Sequence, residues 1–314
     1  MIINFFRKLL ASLSFFYKNN LELVKKKDKV ILKNIQSRLY KFSNKNENLK
    51  KTHKIFRKKI IFLLRNRNLN NFLRNNFIQK MFFVHNRFFI LKELNILRKD
   101  KKWKFYRKII EEDNVGDPIR YFLYPKSSGN KINHAYHLNV LSSEFIVDLK
   151  KINNVFEFGG GYGCMARIFS KINKRIKYIC FDTNYINLLQ YYYLKQNNLN
   201  VGFSKKNNFF LISDLKNIKK YLPNKIRKYL FIANWSLSET PIKFRENFFD
   251  IIKNSHLILI CFQEKFEEID NLKYFNNMKK KLSHNFNVKI INNEFYKGNI
   301  FNYQKHYFLI GKRI

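Results

Sequence analysis

The sequence predicts an α/β fold in which a mostly parallel sheet is covered by helices on both faces and is preceded by a basic, mainly helical region. From residue 154 onward, short apolar runs alternate with segments of helical period. These runs are apolar throughout rather than at every second position, which is typical of parallel strands buried on both faces. The first 110 residues contain neither Gly nor Pro and repeat their apolar residues at helical spacing.

The basic N-terminal region, residues 1–110, carries most of the positive charge. It holds thirty Lys and Arg against five Asp and Glu, and the whole chain has a formal net charge of +40. Helices are predicted over 55–64, 72–83 and 88–97. Basic helices with interleaved aromatic residues suit a nucleic acid or an anionic membrane surface. Solvated helix faces over an aromatic core give the same composition, and we favour that interpretation.

The extreme N-terminus, residues 1–17, is largely apolar but is interrupted by cations. We expect either a helix docked on the protein or an amphipathic helix on an anionic membrane surface. No small-residue cleavage site and no apolar run of spanning length occur. Cys164, Cys180 and Cys261 lack C-x-x-C spacing, which favours reduced, buried thiols. A cytoplasmic protein is therefore expected, with peripheral contact at the inner membrane surface as an open alternative.

Residues 111–150 form a predicted loop-rich connector that caps the acceptor site. Turn residues cluster between 116 and 130, and a helix is predicted over 140–149. His134 and His137 precede that helix. Histidines in such a segment can accept a proton from a substrate or only satisfy local hydrogen bonds.

The third region, residues 151–314, is predicted to hold a Rossmann-like sheet of seven strands. The strands are predicted at 154–158, 177–182, 209–212, 229–233, 256–262, 288–291 and 305–311. The helices are predicted at 162–173, 186–197, 215–221, 244–253 and 267–282. Ligands of such sheets bind beyond the carboxyl ends of the parallel strands.

A glycine turn follows the first strand and is predicted to bind a nucleotide-like cofactor. Glu157, Gly159, Gly161 and Gly163 fit the E/D-x-G-x-G-x-G pattern of methyltransferases that use S-adenosyl-L-methionine (SAM), whereas the last two glycines with Ala166 fit a dinucleotide pattern. A carboxylate at the strand end repels a pyrophosphate but attracts the amino cation of SAM. The sequence therefore predicts SAM as the cofactor.

Polar residues at the ends of the next three strands extend the predicted cofactor site. Asp182 follows the second strand, where a carboxylate can accept hydrogen bonds from ribose hydroxyls. Ser213 and Asp214 follow the third strand, where this fold addresses the adenine amino group, although a helix N-cap explains them nearly as well. Asn234 ends the fourth strand and completes the set.

Five short segments occur together in a combination typical of one family. The segments are Asp117-Pro118, 155–163, Phe181-Asp182, Gln190–Leu194 and Asn234–Glu239. In this combination, residues 116–314 resemble the sugar O-methyltransferase family of bacterial surface-polysaccharide gene clusters. The resemblance implies a class I SAM-methyltransferase sheet, SAM as cofactor and a sugar or glycan-precursor hydroxyl as acceptor. The glycine motif is shared by many methyltransferases, whereas the Tyr-rich and Trp-Ser-x-Ser-Glu segments are more specific.

Transfer of a methyl group to a sugar hydroxyl needs in-line alignment and a proton acceptor. His134 or His137 is the first candidate for the general base. Glu239, in the loop after the fourth strand, is the second, and bracing of that loop is the alternative role for its side chain. No third carboxylate stands at a telling spacing from Asp214 and Glu239, so we predict transfer without a metal ion.

Two other functions stay open. A nucleic-acid (RNA) methyltransferase would use the basic N-terminal region, but the fourth strand lacks the Asn/Asp-Pro-Pro-Tyr/Phe motif of amino-methylating enzymes. A non-catalytic scaffold could anchor a glycan-assembly complex at the membrane through residues 1–17. An intact Glu157 and Asp182 argue for a working cofactor site and thus against the scaffold.

Overall fold

The computed structural model describes residues 28–42, 51–65, 69–82, 90–215, 218, 228–293 and 305–314. Most of the described residues of the N-terminal region are helical. The helices along the chain are α1 (Asp28–Phe42), α2 (Lys51–Arg65), α3 (Asn76–Phe82), α4 (Ile90–Lys99), α5 (Trp103–Ile109), α6 (Gly129–Phe145), α7 (Cys164–Ile172), α8 (Asn184–Gln196), α9 (Ile242–Glu246), α10 (Phe249–Lys253) and α11 (Asn271–Leu282). The predicted helix at 1–17 and most of the one at 215–221 lie outside the described residues.

Helices α1 and α2 pack together on the outer side of α8. Helix α1 buries Ile31, Ile35 and Leu39, which share one face because they are spaced by four residues. Helix α2 buries Ile60 and Leu64 in the same way. These side chains belong to the same hydrophobic core as α6, α7, α8 and one face of the sheet.

The connector contains a short hairpin, β1 (Arg120–Tyr121) with β2 (Tyr124–Ser128), followed by the long helix α6. Ser128 caps α6 because its Oγ accepts the Lys131 backbone N–H, and the helix ends where Ile146 takes the left-handed conformation. The helix predicted at 140–149 thus begins earlier and ends earlier. His134 and His137 lie on α6 itself rather than in a preceding loop.

The central sheet confirms the Rossmann-like prediction. Its strands are β3 (Asn154–Phe158), β4 (Lys177–Phe181), β5 (Val201–Gly202), β6 (Phe209–Ile212), β7 (Leu230–Asn234), β8 (Leu257–Gln263), β11 (Phe286–Asn292) and β12 (His306–Arg313). They lie in the order β11-β12-β8-β7-β3-β4-β6-β5. All neighbours pair in parallel except β12, which is antiparallel to both β8 and β11. The described sheet has eight strands rather than seven because β5 adds a two-residue edge strand.

Several helix bounds differ from the prediction for local reasons. Helix α7 begins after Gly163, which takes φ +100° as the N-cap, rather than at 162. The helix predicted at 244–253 is two short helices, α9 and α10. The one predicted at 267–282 begins at 271, because a hairpin of β9 (Lys265–Phe266) and β10 (Ile269–Asp270) precedes it and Asp270 caps it.

A buried ionic cluster fixes the start of the connector, at Glu112 and Asp113, to α6 and α7. Lys131 is fully buried, and its Nζ lies 2.8 Å from Glu112 and 2.7 Å from Asp113. Arg167 of α7 donates two hydrogen bonds to Asp113. Burial alone would raise the pKa of Asp113, but the Lys131 and Arg167 cations hold that pKa well below its usual range. Removing one partner of such a cluster leaves an uncompensated buried charge, which costs about 3–5 kcal/mol.

Among the helices of the described ranges, none combines the length and the apolar character that crossing a bilayer requires.

Candidate active site

The carboxyl ends of four neighbouring parallel strands bring the predicted site residues to one edge of the sheet. Glu157 lies near the end of β3, and Asp182 and Ser213 directly follow β4 and β6. Asn234 is the last residue of β7. Strands β6, β4, β3 and β7 are adjacent in this order, so the four side chains line a single edge.

The glycine loop between β3 and α7 has no room for side chains. Gly159, Gly161 and Gly163 all have positive φ, at +70°, +56° and +100°. A Cβ on Gly159 would overlap the side chain of Ser236, and one on Gly161 would stand 2.9 Å from a ring carbon of Phe82. Only glycine therefore fits at positions 159 and 161, where the side chains of Ser236 and Phe82 approach the backbone of the turn.

Glu157 lies beneath this loop rather than in its mouth. It is 1% exposed, and its Oε2 accepts a 2.8 Å hydrogen bond from the Tyr178 hydroxyl. Burial raises the pKa of Glu157 to about 7, and the nearby Asp182 adds to this rise. A cation bound above the loop would stabilise the ionised form of Glu157 by electrostatic attraction.

Asp182 is half-buried at this edge of the sheet, and Gln190 of α8 links it to the glycine loop. It accepts a 2.8 Å hydrogen bond from the Thr183 N–H. The Gln190 amide donates to the carbonyl of Gly161 at 2.9 Å and to Asp182 at 3.4 Å. Burial raises the pKa of Asp182 to about 7. In the sequence Gln190 belongs only to the segment Gln190–Leu194 that carries part of the family resemblance, whereas the structure bonds it to the glycine loop and to Asp182.

Ser213 and Asp214 differ in their surroundings. The Ser213 hydroxyl donates to the side-chain oxygen of Asn184, the first residue of α8, so it joins the ends of β6 and β4. Asp214 is exposed beside it. Both lie beyond the carboxyl end of β6, as the adenine assignment requires, and that assignment stays a prediction.

A polar row on α6 crosses from the glycine loop to the end of β7. Asn130, Asn133, His134 and His137 follow the i, i+3, i+4, i+7 spacing of one helix face. Asn130 at one end donates to the Tyr162 hydroxyl at 3.0 Å. His137 at the other end lies 3.1 Å from Asn234, and the two histidine rings are 5.9 Å apart. The helical spacing of these four residues is visible in the sequence, but it was missed because the segment was predicted to be a loop.

His134 is held in the tautomer that leaves its Nε2 able to accept a proton. Its Nδ1 lies 2.8 Å from the carbonyl oxygen of Asn130, which can only accept, so Nδ1 carries the proton and Nε2 carries the lone pair. Burial lowers the pKa of His134 to about 4, so the ring is neutral at pH 7. The helix thus holds a half-buried, neutral imidazole with a free lone pair.

His137 belongs to a buried polar cluster with Asn234 and Cys261. Its Nδ1 donates to the Asn234 Oδ1, to which the Cys261 thiol also donates at 3.2 Å. Its Nε2 is buried without a hydrogen-bond partner in the described structure, as is the Asn234 Nδ2. Burial, followed by the neighbouring His134, lowers the pKa of His137 well below its usual range. Unpaired buried polar atoms are costly, so they mark a place where a ligand or water belongs.

Trp235 closes this side of the site in a strained conformation. Its φ is +60°, which is unusual for a residue with a side chain. The strain is held by the Trp235 N–H, which donates to the Cys261 carbonyl at 2.8 Å, and by the indole Nε1, which donates to His306 Nδ1 at 2.7 Å. The Trp235 and His137 rings meet edge to face at 5.2 Å.

Glu239 stands apart from the histidines. It ends the 3₁₀ turn Ser236–Glu239 and its side chain is exposed. Within the described part of the chain, no hydrogen bond or ion pair links it to His134 or His137. The bracing of this loop, considered above for Glu239, is performed instead by Ser238, which donates to Gln263 at 2.7 Å.

Glu93 is a buried carboxyl that the sequence did not single out. It lies on α4 with no exposed surface, and both of its oxygens accept from the Asn133 amide, at 3.0 and 3.2 Å. Burial raises the pKa of Glu93 to about 8. The group is therefore largely protonated at neutral pH. No sequence signal distinguished it from the other charged residues of the basic region.

Glu157, Asp182 and Ser213, at the carboxyl ends of β3, β4 and β6, form the cofactor edge of the sheet. The residues of this edge fit SAM. The glycine turn lies at the carboxyl end of β3, and the Asn187 Oδ1 and Gln190 Oε1 are buried acceptors without a partner in the described structure. Two carboxylates stand where a cationic ligand would favour their ionised forms. Among the described residues, no group of three or more His, Cys, Asp or Glu side chains is arranged to hold a metal ion.

Comparison with known proteins yields structural similarities only. No protein-family profile matches the chain, and no curated protein sequence matches it. Among solved structures, a phosphoethanolamine N-methyltransferase 2 of Haemonchus contortus, in complex with phosphomonomethylethanolamine and S-adenosylhomocysteine, is 12% identical over 71% of this chain and 60% of its own, with a TM-score of 0.44.

Two further solved structures have names that refer to RNA. An rRNA methylase of Streptococcus thermophilus is 14% identical over 59% of this chain and 95% of its own, with a TM-score of 0.38. The fibrillarin pre-rRNA processing protein of Methanococcus jannaschii is 12% identical over 53% of this chain and 69% of its own, with a TM-score of 0.37. These similarities concern the fold, and the chemistry of the site rests on the residues of this chain.

Proposed function

We propose that the chain is a SAM-dependent O-methyltransferase that acts on a sugar hydroxyl of a cell-surface glycan or its precursor. The observation that carries the cofactor assignment is the glycine loop with its positive φ angles between two carboxyl groups, Glu157 beneath it and Asp182 beside it. Adenosine ribose hydroxyls suit Asp182, and the cationic methionine moiety suits the negative charge around the loop.

The cofactor supplies a methyl group already activated by its sulfonium, so the chain has to align the acceptor and to remove its proton. His134 is the proposed general base because its Nε2 carries a lone pair and its Nδ1 is fixed by the Asn130 carbonyl. His137 and Asn234 are proposed to orient the acceptor through their unpaired Nε2 and Nδ2. Glu239, exposed on the loop nearby, stays the second candidate for the base.

A hydroxyl-rich acceptor is supported by the residues around this base. A lone pair on His137 and an amide donor on Asn234 suit a hydroxyl, which can both donate and accept. Trp235 offers an aromatic wall of the kind that packs against a sugar face. The resemblance to sugar O-methyltransferases in the segment 234–239 agrees with this choice. Metal-independent transfer stays part of the proposal.

The proposal is tested by transfer from methyl-labelled SAM to defined acceptors. The purified chain is incubated with a panel of nucleotide sugars, lipid-linked glycans and RNA, and label is followed by mass spectrometry. Methylation of a sugar hydroxyl, lost in His134→Ala, would support the proposal. Methylation of RNA alone would replace it with the nucleic-acid function, and absence of SAM binding would leave the scaffold.

A further inference from the structure

The outer surfaces of α1 and α2 concentrate exposed apolar side chains. Nine large hydrophobic residues are exposed in the described part of the chain, and five belong to these two helices. The five are Val30, Tyr40, Ile55, Phe56 and Phe62. Single apolar residues are common on protein surfaces, but their concentration in one layer indicates an interaction surface.

Helix α2 presents two of these apolar residues, Ile55 and Phe62, on a basic face. Ile55, Lys59 and Phe62 follow i, i+4, i+7 spacing and share one side of the helix. Lys58 and Arg65 flank them, and all five side chains are exposed, with Phe62 at 67% and Ile55 at 47%. The opposite side of α2 is buried in the core, so this face points outward because the helix is docked by its other side.

The charge of the two helices is strongly one-sided. Together they contain ten Lys and Arg and a single Asp, and α2 has no acidic residue. The layer is also fixed to the rest of the protein. The Gln36 amide of α1 donates to the Leu64 carbonyl of α2 at 2.8 Å, and the Arg57 guanidinium lies 4.8 Å from the Tyr185 ring centre on α8.

We propose that this surface, the outward face of α2 with Ile55, Lys58, Lys59, Phe62 and Arg65, binds the interface of an anionic lipid bilayer. Lysines and arginines neutralise lipid phosphates, and exposed apolar side chains between them insert at the boundary with the acyl chains. A nucleic acid is the poorer fit. Its bases would stack on Phe62 and Arg65 alone, whereas the exposed aliphatic Ile55 beside them offers no plane for stacking and suits the acyl-chain boundary.

Vesicle sedimentation with the purified 314-residue chain tests this assignment. Vesicles of phosphatidylcholine alone are compared with vesicles that also contain phosphatidylglycerol. The chain is expected to sediment with the anionic vesicles, to bind neutral ones far less, and to be released as salt is raised. Failure to bind anionic vesicles, or equal binding to both kinds, would overturn the proposal.

Paired variants locate the binding to α2. Ile55→Ser with Phe62→Ser is expected to lower the vesicle partition coefficient about tenfold or more, because both insertions are lost. Lys58→Gln with Lys59→Gln is expected to lower it about twenty-five-fold, at about fivefold for each lysine. The matched control, Leu123→Ser with Ile242→Ser, removes exposed apolar residues elsewhere and should leave binding unchanged.

Two results would contradict the role of this face. One is unchanged vesicle binding by both α2 variants while circular dichroism shows them folded. The other is tighter binding of single-stranded RNA than of anionic vesicles, lost with Lys58 and Lys59 but not with Ile55 and Phe62. That result would assign the surface to a nucleic acid.

Discussion

The two sides of the candidate site are assembled over very different distances along the chain. On the cofactor side, Glu157 bonds to a residue 21 positions away, and Gln190 bonds to residues 29 and 8 positions away. On the acceptor side, His137 meets Asn234 across 97 positions, and Trp235 meets His306 across 71. On the cofactor side the strand, turn and helix are contiguous in sequence and only Ser236 and Phe82 reach the glycines from distant segments, whereas the acceptor side is assembled from separate elements throughout.

Because of this difference, the two sides of the site should tolerate different amino-acid substitutions. The glycine loop depends on backbone conformations and on the lack of Cβ atoms, so one added methyl group is enough to disturb it. The acceptor side depends on side chains brought by α6, β7, β8 and β12, whose removal leaves the backbone in place. Substitutions there should alter chemistry before they alter binding of the cofactor.

The largest effect is expected from Gly159→Ala. The new Cβ would overlap Ser236, and the residue would keep a φ of +70°, which together cost about 2 kcal/mol or more. Binding of SAM measured by calorimetry should be lost. Gly311→Ala is the control, because it places a methyl group at near-normal contact distance on β12. SAM affinity of the wild-type level in Gly159→Ala would contradict the loop assignment.

His134→Ala should separate chemistry from cofactor binding. Loss of a general base lowers the turnover rate by about 10²–10⁴-fold. The SAM dissociation constant should stay unchanged, because His134 lies on the acceptor side. Turnover and SAM affinity are measured together on the acceptor identified from the panel. His284→Ala, an exposed histidine after α11, serves as control. Full turnover by His134→Ala would transfer the role to Glu239 or His137.

The glycine loop could be predicted from the sequence, whereas the contacts of the acceptor side could not. The Glu157 to Gly163 pattern gave the strand, the turn and the helix, because each is dictated by neighbours in sequence. The contacts of His137 and Trp235 could not be predicted, because no local pattern states which distant strand ends meet. Glu93 was missed for the same reason: its burial is created by the packing of α4 on α6.

The pH dependence of SAM binding tests the negative side of the loop. Burial raises the pKa values of Asp182 and Glu157 to about 7, so both lose most of their charge below that pH. Affinity for the cationic cofactor should rise between pH 6 and pH 8. Asp182→Asn should weaken binding about tenfold at pH 8 and flatten this dependence, whereas Glu268→Gln, an exposed control, should change neither. A pH-independent wild-type affinity would contradict this account.

The smallest effect is expected on stability, from Glu93→Gln. The folded-state pKa of Glu93 is raised to about 8, so the folded protein keeps a proton that the unfolded chain releases. The free energy of unfolding should therefore fall as pH rises from about 5 to 8. Glu93→Gln should reduce this slope and should be more stable than the wild type at pH 8 by at least about 1 kcal/mol. Urea unfolding at several pH values measures both.

A calorimetric titration of SAM into the purified wild-type chain tests the central claim most directly. The glycine loop, the carboxyl groups of Glu157 and Asp182 and the unpaired Gln190 Oε1 predict binding of one SAM per chain. The same titration with Asp182→Asn should give a clearly weaker constant. No detectable binding up to millimolar SAM would contradict the assignment of this edge as a methyl-donor site.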